Sequence, residues 1–234
     1  MKTVVYIDGY NLYYGLLRRS LFKWLDLYKL FQQHVLDDQA DVVEVRYYTA
    51  PVLGRMCDDS RSPQRQRAYL QALRKMPPRK VTIVEGRHLV ATPYQRLVST
   101  IPAAPDLKKV QVYAFTEKHT DVNLASDLIT GAWTKAYEQA VICTNDTDIV
   151  AALSAIRDHH PHLKLGLVAP IKGHDHRKMA FDLVQQADWA KILSPVHLEN
   201  SLLPDRIPGT AIRKPDEWSV EPTPAETSKR ISKD

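Results

Sequence analysis

Four aspartates in this chain fall at or near the turns where strand-forming runs give way to helix. Val4-Val5-Tyr6-Ile7 leads into Asp8 and Gly9, and Ala140-Val141-Ile142-Cys143-Thr144 leads into Asn145-Asp146-Thr147-Asp148. Asp121 opens the amphipathic segment Val122-Asn123-Leu124-Ala125-Ser126-Asp127-Leu128. A single acid at such a turn is as readily a helix N-cap as a site. Three junctions at one edge of a parallel sheet are different, because carboxylates held together repel and raise one another's pKa. A bound cation relieves that repulsion, and oxygen ligands without Cys or His suit Mg²⁺ or Mn²⁺ rather than zinc. Mg²⁺ held by a few carboxylates keeps several waters, and one of these can attack a phosphodiester. Two metals about 3.5–4 Å apart would also stabilise the leaving oxygen.

Such a site needs a sheet behind it. The periodicity predicts strands at Val42–Tyr48, Val81–Gly86, Ala140–Thr144, Leu163–Val168 and about Trp189–Leu193, besides the first. Helices are predicted over Leu12–Arg19, from Asp26 as a cap, over Gln64–Lys75 up to Pro77-Pro78, over Asp121–Tyr137, over Asp146–Arg157 and over about Arg177–Gln185. Alternation of this kind implies a parallel-dominated sheet covered on both faces. The stretch Arg87–Asp106 carries three prolines and reads as an excursion from the sheet, a loose hairpin; Val110–Phe115 is a further extended piece. Chemistry in such sheets collects at the C-terminal strand ends, where Asp8 lies. Asp127 lies about 240° round the helix from Asp121 at ~100° per residue, so the two cannot share a face; Asp127 either approaches the site from a turn deeper or holds a basic side chain in support of it.

With 234 residues the chain has room for one large α/β domain. We place that domain at residues 1–196 and a proline-interrupted tail, disordered or draped over the surface, at 197–234. No apolar run reaches the ~18 residues of a membrane span, and the start has no signal-peptide pattern. Cys57 and Cys143 stand far apart, which excludes a disulfide framework and suits a cytoplasmic location. A net charge of +5 is compatible with a polyanionic partner. Its cations crowd between Arg55 and Arg87; a charge run is usually a solvated face, and nucleic acid is the alternative.

Other signals are weaker. His159-His160-Pro161-His162 and His174-Asp175-His176 read as solvated loops, although His174 and His176 lie where phosphate contact is conceivable. Tyr10, Tyr13 and Tyr14 are either core or base-stacking rings. Lys118, three residues before Asp121, is either solvated or a neutraliser of phosphate charge. Arg46 either pairs a buried acid or faces substrate.

The motifs Tyr6-Ile7-Asp8-Gly9-Tyr10-Asn11-Leu12, Thr120-Asp121-Val122 with Leu124-Ala125 and Asp127-Leu128, and Thr144-Asn145-Asp146-Thr147-Asp148 resemble those of the NYN domain family, in its LabA-like branch. The resemblance covers about residues 2–193. It implies an α/β, PIN-like (Rossmannoid) three-layer sandwich with a central, mostly parallel sheet and helices on both faces. It also implies metal-dependent ribonuclease chemistry, with Asp8, Asp121, Asp146 and Asp148 as Mg²⁺ or Mn²⁺ ligands and Asn11 as a catalytic polar group. RNA is then the expected partner, contacted by Lys118, Arg55, Arg65 and Tyr10. The third motif departs from the family's commoner Ser-Gly-Asp-Ser-Asp by carrying Asn145, and His119-Thr120 replaces a glycine and a hydrophobic residue. Two rival readings remain: an RNA-binding or regulatory module without turnover, docking a protein or a second copy through its tail, and a phosphotransfer enzyme with Asp8 as nucleophile. The latter wants a second aspartate where this chain has Tyr10.

Overall fold

The computed structural model describes residues 1–57, 59–173 and 175–220. Its strands are β1 (Lys2–Asp8), β2 (Asp41–Thr49), β3 (Val81–Glu85), β4 (Arg87–Ala91), β5 (Tyr94–Arg96), β6 (Lys109–Gln111), β7 (Ala114–Lys118), β8 (Gln139–Cys143), β9 (Lys164–Ala169) and β10 (Trp189–Ile192). Helices are α1 (Gly9–Leu12), α2 (Leu27–Lys29), α3 (Ser62–Lys75), α4 (Thr120–Trp133), α5 (Val150–His159), α6 (Phe181–Gln186) and α7 (Pro195–Glu199). The first two run on as wider π-helical turns, Tyr13–Leu17 and Leu30–Val35.

Six strands pair in parallel in the order β10-β9-β8-β1-β2-β3. Alternation along β1 sends Val5 and Ile7 into one apolar layer with α2, α3 and Trp24, and Val4 and Tyr6 into another with α4, α5 and α6. Burial on both faces explains why β1 and β8 read as unbroken apolar runs. The α/β, PIN-like three-layer architecture expected from the sequence is the one found. The chain leaves β1 towards β2 on one side and leaves β8 towards β9 on the other, so the reversal of direction falls between β1 and β8. That is where doubly wound sheets open a crevice at their C-terminal edge.

Three expectations change. The excursion is an ordered arm: β4 pairs with β7 and β5 with β6, all antiparallel, as a long hairpin standing off the main sheet. Helix α4 stops at Trp133, not Tyr137, because Lys135 takes a left-handed φ of 56°. Tyr137 instead enters the core, donating to the Leu128 carbonyl at 2.8 Å.

The boundary at 196 is not a domain boundary. Leu198, Leu203 and Ile207 are buried in the same layer as Trp24, whose Nε1 donates to the Pro204 carbonyl at 2.9 Å. Trp218 packs against Trp24 and Tyr69. Apolar side chains spaced between the prolines, invisible to a periodicity test, hold this segment down. The part of the predicted tail beyond Val220 lies outside the described residues. Among the described residues no helix is long and apolar enough to cross a membrane.

Candidate active site

Asp8 ends β1 and caps α1 at once. Its Oδ1 accepts from the Asn11 backbone N–H at 2.9 Å, and its Oδ2 accepts from the Thr144 hydroxyl at 3.0 Å. The same Thr144 oxygen accepts from the Asp146 N–H at 3.1 Å, and Asp146 Oδ1 accepts from the Asp148 N–H at 3.1 Å. A chain of contacts therefore runs from β1 across the switch point into the turn after β8. Cap and site are the same residue. Gly9 permits this turn, since a Cβ there would meet the Tyr48 carbonyl oxygen at 2.5 Å.

Asn11 bridges two of the motifs. Its Oδ1 accepts from the Asn145 N–H at 3.0 Å, which makes it a positioning residue joining the first motif to the third. Asn145 earns its departure from a small residue. Its Oδ1 accepts from the Ala180 N–H at 2.8 Å and its Nδ2 donates to the Lys178 carbonyl at 3.1 Å, so it anchors the segment entering α6.

Asp121 arrives differently from the expectation. It sits in the first turn of α4 directly after β7, a strand of the arm and not of the main sheet. His119 makes that corner with a left-handed φ of 82°. Gly86 lets the corner close on β3, because a Cβ there would lie 2.6 Å from the Lys118 carbonyl oxygen and 2.8 Å from Glu117 Oε1. Glu117 in turn accepts from the Thr120 N–H at 3.1 Å and from its hydroxyl.

The acids feel one another. Burial raises the Asp8 carboxyl, hydrogen bonds from Asn11 and Thr144 pull it back, and Asp146 raises it further. Asp121 is pushed up to about 6, first by burial and then by the charges of Asp8, Glu117, Asp146 and Asp148. Glu117 is the member that sequence reasoning missed, and nothing local signals that an arm folds back there. Thr144 was seen as the end of a strand and the start of the third motif, without a role at the site.

A four-ligand cage is not what the geometry gives. Among the described residues no three or more His, Cys, Asp or Glu side chains are grouped closely enough to hold an ion directly. Asp8 and Asp146 spend oxygens on backbone and hydroxyl donors, and the negative charges hold apart. The donor chemistry still fits a hard cation, since Mg²⁺ is often held by one or two carboxylates with water completing its shell. The residues that would hold it are drawn from Asp8, Asp121, Asp146 and Asp148, of which Asp8 feels the charge of Asp146, and Asp121 feels those of Asp8, Asp146 and Asp148.

The remaining candidates separate. Tyr10 donates to the Ala50 carbonyl at 3.4 Å, and its hydroxyl lies 2.6 Å from His88 Nε2, joining α1 to the arm; its ring stacks on Tyr14 at 6.1 Å. Tyr13 and Tyr14 stay partly exposed, with the Arg18 guanidinium 5.5 Å from the Tyr14 ring. Arg65 is not free for substrate: it pairs with Asp59 at 2.8 Å and Glu217 at 3.3 Å. Arg55 is exposed on the short turn Gly54–Met56, and Lys118 is exposed at the end of β7. Arg46 pairs with Asp127 at 3.0 Å, and Tyr48 donates to the same carboxylate at 2.8 Å, so of the two roles open to Asp127 it takes that of holding a basic side chain. His160 packs on Trp133 at 4.4 Å; His176 is exposed, and His174 lies outside the described residues.

A doubly wound parallel sheet with coupled carboxylates at its switch-point crevice defines an acid-lined α/β domain. The NYN domain family matches residues 2–188, and the chain belongs to that PIN-like family of nuclease type. The match is to the family and not to a branch within it. A relative, the 6-hydroxy-3-succinoylpyridine 3-monooxygenase of Pseudomonas putida, is 33% identical over 243 residues, spanning 95% of this chain and 77% of that protein. A crystal structure of a protein of unknown function from Vibrio parahaemolyticus overlaps with a TM-score of 0.48 at 17% identity, covering 86% of this chain and 96% of that one.

Proposed function

We propose that this protein is a Mg²⁺- or Mn²⁺-dependent endoribonuclease working at the crevice between β1 and β8. The observation that carries the reading is the electrostatic coupling of Asp8, Asp121, Asp146 and Asp148, with Asp121 pushed up to about 6. Such a concentration of negative charge is a standing cost unless a cation or a proton offsets it. A divalent ion bound there would supply an activated water and stabilise charge on the phosphate and leaving oxygens.

The chain's own residues do the rest. The Asn11 N–H and the Thr144 hydroxyl fix both oxygens of Asp8, so its carboxylate cannot swing. Asn11 sets the height of the 145–148 turn, and through it the reach of Asp146 and Asp148. Asp121 keeps its proton up to about pH 6 and must release it for a cation to bind, so cation affinity rises with pH through that value. Cleavage of a labelled single-stranded RNA with Mn²⁺, lost with EDTA and in Asp8→Asn and Asp146→Asn, is the expected result. Cleavage that persists in both variants or without divalent metal refutes it, and RNA retention with no product favours a binding module.

A second reading follows from the monooxygenase name of the Pseudomonas putida relative, whose alignment spans 95% of this chain. On that reading the crevice takes a hydroxylated pyridine. The turn after β1 argues against binding of a dinucleotide at that point: a buried carboxylate, Asp8, occupies the place where a pyrophosphate needs bare N–H groups. Supplying 6-hydroxy-3-succinoylpyridine with O₂ and a reduced nicotinamide, and looking for hydroxylated product, tests it directly.

A further inference from the structure

Part of the sequence's basic stretch turns out to be paired with acids. Arg61 pairs with Glu217, Arg65 with Asp59, Arg74 with Glu85, and Lys80 with Asp41. Among the cations left without an ion pair are four on the arm. Across its first ribbon Arg87 stands directly opposite Lys118, and across its second Arg96 stands directly opposite Lys109. All four are exposed, and none has a side-chain ion pair or hydrogen bond among the described residues. Like charges directly opposite on an antiparallel pair destabilise it. A hairpin that carries this twice is not optimised for its own stability.

The arm also displays rings. Tyr94 and Tyr113 are each 69% exposed, and Tyr113 stacks on Phe115 at 6.2 Å. Cations that track a backbone, interleaved with exposed aromatic faces, are the recipe for gripping single-stranded nucleic acid without base readout. The arm's placement connects it to the acids: Lys118 lies three residues before Asp121, and His88 of β4 meets Tyr10 two residues after Asp8. Ten residues of extended hairpin, from position 87 to 96, reach about 30 Å at ~3.3 Å per residue. The arm therefore offers an extended track leading to the acids.

We infer that the 87–118 arm is the single-stranded RNA clamp of this protein, gripping phosphates through the two cross-strand cation pairs and stacking bases on Tyr94 and Tyr113. The inference rests on the nuclease reading for the identity of the strand, and its test does not require turnover. The decisive variants are Arg96→Glu and Lys109→Glu, made singly. Each converts a like-charge pair into an opposite-charge one, so the hairpin gains stability while the clamp loses a phosphate contact.

Fluorescence anisotropy with a labelled single-stranded RNA, in EDTA, is the measurement. Each variant is expected to bind about tenfold more weakly at low salt, with the slope of log affinity against log salt reduced by about 0.7. The melting temperature stays the same or rises. A merely structural role would give the opposite pattern in stability. Unchanged RNA affinity in both variants overturns the inference, as does a change in oligomeric state by size-exclusion in place of a change in affinity. Weak binding by the variants alongside absent cleavage in the wild type would leave the clamp standing and remove the nuclease reading.

Discussion

Replacing Asp121 by Asn should make the protein more stable while removing its activity. The Asp121 carboxyl moves from 3.8 to about 6 on folding, through burial and four neighbouring carboxylates. The folded state therefore holds the proton more tightly than the unfolded chain, and ionisation disfavours folding. This penalty is absent below about pH 4, grows as pH rises towards 6 and is complete above it. At about 1.4 kcal/mol per tenfold change in proton affinity, the full penalty would be ~3 kcal/mol. Asp121 is half-buried, so solvent screens much of that. Its charge also favours the N-terminus of α4. About 1 kcal/mol remains, which for a chain of this size is an increase of about 2–4 °C in melting temperature. The Asp121 side chain has no hydrogen bond or ion pair among the described residues, so the amide sacrifices nothing else. Thermal unfolding of wild type and Asp121→Asn at pH 4.0 and pH 7.5, without divalent metal, is the assay. The two should coincide at the lower pH and separate at the higher. A variant no more stable than wild type at pH 7.5 would refute the coupling on which the site rests.

Further outcomes follow from other contacts. Asn11→Ala removes the acceptor for the Asn145 N–H, and urea unfolding should show a loss of about 1 kcal/mol; because Asp146 and Asp148 lose their register, half-maximal cleavage should also need more Mn²⁺, and an unchanged requirement would sink the positioning role. Ending the chain at residue 196 removes Leu198, Leu203 and Ile207 from the core. At about 1.5–3 kcal/mol for each buried side chain, this approaches the ~5–15 kcal/mol stability of a whole domain, so no cooperative unfolding transition should survive.

The sheet was legible because its strands are buried on both faces, which writes Val4–Ile7 and Ala140–Cys143 as apolar runs bounded by turn chemistry. Asp8, Asp146 and Asp148 were legible for the same reason: a strand end in a parallel sheet has a predictable edge. Asp127 was placed by helical geometry alone, opposite to Asp121, and its partner Arg46 lay open until the two met.

Other features depended on long-range packing. The segment 197–220 lacks any period because its anchors are single residues between prolines, and only Trp24 and its layer show what they bury against. Arg65 looked available for RNA until Asp59 and Glu217 closed on it. The arm has short strands and weak alternation, so its register, and with it the pairing of Arg87 with Lys118 and Arg96 with Lys109, had no local signature. The sequence by itself determined the alternation of strands and helices and the acids at their junctions, because periodicity and turn residues are local. Tertiary structure decided which charges remain uncompensated and how closely the carboxylates approach, because both depend on partners far away in the chain.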